Sequence, residues 1–161
     1  EHFNSAGPGK GLAIYFKADI FKHVEDIKKQ KMQLTKMESK ELDVIAVYRS
    51  EQGNSSELLE HIIELITPDK NMAICGDFNI CYLATRNNRI TKYLEQNGFT
   101  QLMKEPTHIQ GRLLDHFYFK PRQNDPVKTE VFRYSPYYAD HDAICTTITL
   151  AESKSGQESP Q

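Results

Sequence analysis

The sequence has 161 residues, 39% hydrophobic and 26% charged, the balance of a folded globular chain and not of a disordered one. Twenty Lys and Arg against 22 Asp and Glu leave a formal charge of −2, which excludes a strongly basic domain that holds nucleic acid by charge alone. No apolar run approaches the roughly 18 residues of a transmembrane helix, and the first ten residues carry no apolar stretch of the signal-peptide kind.

The length suits one domain or a piece of a larger one. Opening at Glu1 with no initiating methionine, the chain reads as a processed or partial one. Cys75, Cys81 and Cys145 are odd in number and contain no CxxC pair. A closed disulfide framework and a structural zinc site are therefore disfavoured, and a reducing compartment is mildly favoured.

In chain order, residues 7–11 (GPGKG) read as a loop; the P-loop pattern is absent. Residues 12–17 (LAIYFK) form a short β-type run. Residues 21–42 hold no single period and fit a helix or an antiparallel hairpin equally well. Residues 42–49 (LDVIAVYR) are a buried strand. Residues 55–67 are the clearest helix. Asn54 caps it, Glu57 is the capping-box partner, and Leu58, Leu59, Ile62, Ile63 and Ile66 share one face. Pro68 ends it. A strand over 72–75 runs into Gly76-Asp77-Phe78-Asn79. A second helix spans 87–97, ended by Gly98. An extended segment at 100–104 and strands at 113–120, 127–134 and 143–150 follow. Residues 1–150 are expected to form one partial domain, and 151–161 a disordered tail.

Three polar clusters stand at the ends of apolar strands: Asp77 with Asn79, Asp115 with His116, and Asp140-His141-Asp142. Singly, each reads as a turn former or a surface pair. Asp115 is the hardest to dismiss, because Leu113, Leu114, Phe117 and Phe119 flank it and a buried carboxylate needs a partner. Together they bring carboxylates, an amide and an imidazole to one sheet edge. Hard oxygen donors suit Mg²⁺ or Mn²⁺, and an imidazole backed by a carboxylate suits proton transfer or transition-state donation. Phosphodiester hydrolysis uses both. Zinc hydrolysis is disfavoured, since no HExxH is present.

These clusters resemble the endonuclease/exonuclease/phosphatase (DNase I-like) superfamily. That family carries a GDFN motif, a later (I/L)DH or (I/L)DY strand and a terminal SDH, matched in order by residues 76–79, 114–116 and 139–141. Residues 11–16 (GLAIYF), 44–48 (VIAVY) and Pro106-Thr107-His108 extend the likeness toward the endonuclease domains of animal mobile elements, of the non-LTR retrotransposon or Helitron type.

The resemblance implies part of a four-layer α/β sandwich, two β-sheets flanked by helices, with the N-terminal portion of the family fold absent. It implies that Asp77 and Asn79 approach the scissile phosphate and the attacking water, with Asp77 also a metal ligand. Asp115 would orient His141, Asp140 would hold Mg²⁺ or Mn²⁺, His141 would contact the phosphate, and Tyr48 would touch it. Thr107 would be a further phosphate contact, and His116 structural or peripheral. Arg49, Arg86, Arg112 and Lys104 are candidates for steering DNA, although scattered cations are usually solvated surface.

Two departures are visible: Ala139 replaces the family's Ser, and the early Asn and metal-binding Glu have no counterpart. The expected function is a divalent-metal-dependent DNA endonuclease, active or inactive as this chain alone. The alternatives are a phosphatase or RNase of the same fold, or a non-catalytic remnant serving binding or assembly. The expected partners are DNA and, through an exposed sheet edge, a second copy, with no membrane. A DNA substrate would place the chain inside the cell, in the nucleus.

Overall fold

A computed structural model describes residues 1–7, 10–84, 88–123 and 125–150. The elements in chain order are β1 (His2–Gly7), β2 (Lys10–Ile14), β3 (Lys22–Lys29), β4 (Met32–Glu38), β5 (Leu42–Arg49) and α1 (Ser55–Leu65). They continue with β6 (Asn71–Asp77), α2 (Arg89–Gln96), β7 (Thr100–Gln101), β8 (Asp115–Lys120), β9 (Val127–Tyr134) and β10 (Ala143–Leu150).

Six strands form one mixed sheet in the order β3-β4-β5-β6-β8-β7, and β1–β2 and β9–β10 form two antiparallel ribbons. Only β5 and β6 are parallel, joined through α1, as a parallel pair requires a crossover. Leu34, Ile45, Val47, Met72, Ile74 and Tyr118 face α1 and α2, where Leu58, Ile62, Leu65, Ile90 and Leu94 complete the core. The other face of β4 carries Thr35, which meets Asn4 of β1, so the β1–β2 ribbon lies opposite the helices. Val131 and Ile144 of the second ribbon pack against Tyr82, Met103 and Leu113. Helices, main sheet and ribbons thus make part of an α/β sandwich. Among the described residues no helix is long and apolar enough to cross a membrane.

The ambiguous stretch resolves as the β3–β4 hairpin. Lysine-rich β3 is exposed at every position but Ile27, while β4 is buried on both faces, a pattern no amphipathic helix produces. Within the loop expected over 7–11, Gly7 and Lys10 already pair as strand residues, and residues 8 and 9 lie outside the described residues. Strand β1 was not anticipated. Helix α1 is capped as expected, Asn54 accepting from the Ser56 and Glu57 amides, but it ends at Leu65. Helix α2 is capped by Asn88, and position 87 and the expected disordered tail over 151–161 lie outside the described residues.

Strand β6 continues through Gly76 because of a close approach. Gly76 has φ 136°, and a Cβ there would overlap the Val47 carbonyl oxygen on β5. Gly76→Ala is therefore expected to destabilise the fold by about 2–3 kcal/mol, through overpacking and strain. Urea titration checks it; a change under about 0.5 kcal/mol would show that β5 and β6 yield at this point.

Candidate active site

The cross-strand register sets the centre of the site. Tyr48 of β5 pairs with Asp77 of β6, and Asp77 pairs with Asp115 of β8. Paired residues share a face, so the three side chains form one row on the ribbon side of the sheet.

Beyond Asp77 the chain turns sharply. The Asn79 amide donates to Asp77 Oδ1 at 2.9 Å, and Asn79 itself adopts φ 50°, a conformation that asparagine tolerates. Phe78 crosses to the helix side, where it is fully buried and stacks on His116 at 4.7 Å. Arg49 holds this turn from beneath. Its guanidinium donates to the carbonyls of Phe78 (2.9 Å), Asn79 (3.1 Å), Gly53 (2.9 Å) and Glu51 (3.3 Å). The steering role expected of Arg49 is thereby corrected: it is 8% exposed and committed to main chain.

Asp115 is the junction of the site. His141 Nδ1 lies 2.7 Å from its Oδ2, and Thr107 Oγ1 donates to the same oxygen at 2.7 Å. The Thr107 hydroxyl also accepts from the amides of Leu114 (3.2 Å) and Asp115 (3.1 Å) and is fully buried. The phosphate contact expected of Thr107 is therefore not what its geometry serves; it supports Asp115 instead. Nδ1 of His141 is thus engaged by Asp115, leaving Nε2 as its second ring nitrogen.

The loop bearing His141 is tied to the Thr107 segment by main chain: Asp142 N donates to Thr107 O at 2.6 Å and Ile109 N to Asp140 O at 2.8 Å. Arg133 adds Pro106 O at 2.6 Å and ion pairs to Asp142 and Glu105.

Asp77 and Asp140, the two expected metal ligands, fall into different groups that share His141. Ligand atoms of Asp77, Asp115 and His141 lie within 4.8 Å of one another, as do those of His108, Asp140 and His141. His108 was not assigned to the site from sequence. Its Nε2 is 3.6 Å from Asp140 Oδ2, and its ring meets that of His141 edge-on at 4.9 Å. Only its place beside Thr107 pointed to it.

Of the remaining cations, Lys104 reaches the Tyr82 hydroxyl at 3.4 Å and lies 5.2 Å from that ring. The Arg112 carbonyl accepts from the His108 amide, which keeps Arg112 beside the site. Arg86 lies outside the described residues.

The electrostatics follow from this packing. Burial raises the Asp77 pKa, and the neighbouring Asp115 carboxylate raises it further, against the Asn79 amide, His141 and Arg49. Burial pulls His141 down, but its hydrogen bond to Asp115 and the charges of Asp115, Asp77 and Asp140 outweigh that, and its pKa is raised. A half-buried carboxylate beside another carboxylate is a place where a divalent cation relieves repulsion, so the hard-oxygen donors of Asp77 and Asp115 fit Mg²⁺ or Mn²⁺, and Asp140 offers a further oxygen donor from the neighbouring group.

His116, adjacent in sequence to Asp115, points to the opposite face and is 1% exposed. Its Nε2 donates to Ile80 O at 2.8 Å, so Nδ1 accepts from the Tyr118 hydroxyl at 3.1 Å. Tyr118 then accepts from Thr91 Oγ1 at 2.9 Å, and Thr91 accepts from Asn88 Nδ2 at 3.0 Å. Burial holds the His116 pKa down to about 4. This folded value lies below the unfolded one, so its contribution to stability is complete above pH ~6.5 and is lost as pH falls toward 4. The loss is expected to total about 3 kcal/mol. Urea titrations at pH 7, 5.5 and 4.5 test this: His116→Gln should flatten the acid dependence. An unchanged slope would mean that other groups carry it.

No family model matches the sequence, and no curated protein matches it. Solved structures do match the fold. The endonuclease domain of TRAS1, a telomere-specific non-LTR retrotransposon, aligns with a TM-score of 0.66 at 15% identity, covering 91% of this chain and 76% of that one. CdtB, the biologically active subunit of Cytolethal Distending Toxin, aligns with a TM-score of 0.57 at 15% identity, covering 82% and 58%. This chain therefore spans about three quarters of the first neighbour and under two thirds of the second. The sandwich that carries the GDFN, LDH and ADH segments, aligned with these structures, leads to one conclusion: the chain has a DNase I-like fold.

Proposed function

We propose that this chain carries the reacting centre of a divalent-metal-dependent phosphodiesterase acting on DNA. The observation that carries the reading is His141 Nδ1 held 2.7 Å from Asp115 Oδ2, beside the Tyr48–Asp77–Asp115 row. A carboxylate behind an imidazole fixes its tautomer and keeps it protonated, so that Nε2–H is presented to the phosphate. It donates to a non-bridging oxygen as negative charge builds there. Asp77, made more basic by burial and by Asp115, accepts the proton of the attacking water. Asn79 orients that water, and the Tyr48 hydroxyl donates to the phosphate. The new P–O bond forms as the bond to the leaving sugar oxygen breaks, and that oxygen takes its proton from solvent water.

Asp140, with Asp77, would hold Mg²⁺ or Mn²⁺, which supplies charge neutralisation on the phosphate when bound. Exposed Tyr134, Tyr137 and Tyr138, on the segment leading to Asp140, offer flat faces on which bases can stack, and they favour a nucleic acid over a small phosphate ester. The two nuclease-fold neighbours support the same substrate class. Nuclear residence and self-association through the free ribbon edges belong to this proposal as its secondary parts.

Nicking of supercoiled plasmid by the purified chain tests it. Activity in Mg²⁺ or Mn²⁺ is expected to vanish with EDTA, and to fall about 10²–10⁴-fold in His141→Ala. Asp140→Ala should need more metal for the same rate. No nicking by a folded chain in either cation would sink the proposal.

The pH profile gives a separate check. Activity should rise as Asp77 ionises and fall as pH passes the raised pKa of His141. Asp115→Asn should move that alkaline limb to lower pH, because the anion that keeps His141 protonated is gone. A limb that stays in place would mean that His141 acts without Asp115.

A further inference from the structure

A second constellation lies away from this site, where the β1–β2 ribbon crosses the outer edge of the main sheet. His2 of β1 and His23 and Asp26 of β3 bring three ligand atoms within 4.8 Å of one another. His2 Nε2 is 2.7 Å from Asp26 Oδ2 and 3.0 Å from Oδ1, and His23 Nε2 is 3.2 Å from Oδ1. The two imidazoles lie nearly parallel, with centroids 3.9 Å apart and planes inclined by 22°.

A backbone irregularity builds this group. Residues 23 and 26 are three apart, so in a regular strand they would face opposite sides of the sheet. The register slips between His23 and Glu25: His23 pairs with Met37, and Asp26 with Thr35. Met37 and Thr35 are two apart on β4, so the bulge turns His23 onto the face that carries Asp26. Re-aiming a side chain in this way is a recurrent use of bulges.

The supporting contacts are equally specific. Thr35 Oγ1 donates to Asp26 Oδ1 at 2.8 Å, and Asn4 Nδ2 donates to Thr35 Oγ1 at 3.2 Å. Asn4 also donates to Leu34 O (2.9 Å) and Ile27 O (3.2 Å), which fixes β1 over β3 and β4. The carboxylate is thus oriented from behind by buried groups, while both ring nitrogens reach it from the partly open side. Orientation of ligands by buried hydrogen bonds is the usual support of a metal site.

We propose that His2, His23 and Asp26 form a binding site for a transition cation, zinc above all, that pins the β1–β2 ribbon to the main sheet. Two imidazoles and one carboxylate select a borderline cation over Mg²⁺ or Ca²⁺. Tetrahedral zinc at its usual bond lengths sets its ligands about 3.3 Å apart, close to the separations of His2 Nε2 and His23 Nε2 from Asp26. Water takes the fourth position. The site bridges residues 2 and 23–26, so its effect is on stability and not on the reaction.

The test is zinc titration of the untagged, EDTA-stripped chain by calorimetry, with Co²⁺ absorption reporting tetrahedral nitrogen ligation. His23→Ala and Asp26→Ala remove ligands of this site. The double variant His108→Ala/His141→Ala removes the other histidine-bearing group. The wild type and the double variant should each bind one zinc ion at this site, with Tm raised by roughly 5–10 °C at a hundredfold excess over Kd. His23→Ala and Asp26→Ala, with circular dichroism matching the wild type, should weaken that binding more than about 100-fold. Binding that survives both variants, binding lost only in the double variant, or no binding by the wild type would each overturn the proposal.

Discussion

One carboxylate oxygen holds the candidate site together. Asp115 Oδ2 takes the Thr107 hydroxyl from one side and His141 Nδ1 from another. Its own strand places it opposite Asp77. One atom of β8 thus ties the segment before that strand to the loop before β10, while the strand register sets Asp115 beside the end of β6. Neutralising Asp115 would weaken the hydrogen bond that positions the imidazole and remove the charge that keeps it protonated. Position and protonation of His141 thus have the same cause.

The scaffold around that atom consists largely of main chain. Arg49 makes four bonds, all to carbonyl oxygens, across the two loops that follow β5 and β6. Burial works against its charge, and Asp77 and Glu51 work for it. The cation thus serves both as a clamp on the turn and as part of the field around Asp77. Gly76 serves the same turn by absence: without a side chain, β6 runs close enough to β5 to set Asp77 level with Tyr48.

Much of the fold was legible in the sequence where local chemistry and burial agree. Helix α1 declared itself through Asn54, Glu57 and its apolar stripe, and the GDFN, LDH and ADH segments marked three of the strand ends that meet at the site. What stayed hidden was mostly non-local. Strand β1 has little apolar alternation, because its inward residues His2 and Asn4 are polar and bond across to β3 and β4. Arg49 and Thr107 read as surface cation and phosphate contact, since nothing in their neighbours reveals that carbonyls and a carboxylate will surround them. His108 enters the site through a single bridge to His141, a pairing 33 residues apart that no local pattern encodes.

The buried chain from Asn88 to Ile80 has a property of its own. Asn88 Oδ1 accepts from the Thr91 amide, so its Nδ2 must be the end that donates to the threonine hydroxyl. At the far end a carbonyl can only accept. While His116 is neutral, every hydrogen between them is consequently oriented the same way, through Thr91, Tyr118 and His116. Hydroxyl rotors in proteins usually sample several settings, whereas these have one. The result is a line of dipoles running one way through the core toward the loop that follows Asn79 until His116 takes a proton at Nδ1, which turns the Tyr118 and Thr91 hydroxyls around.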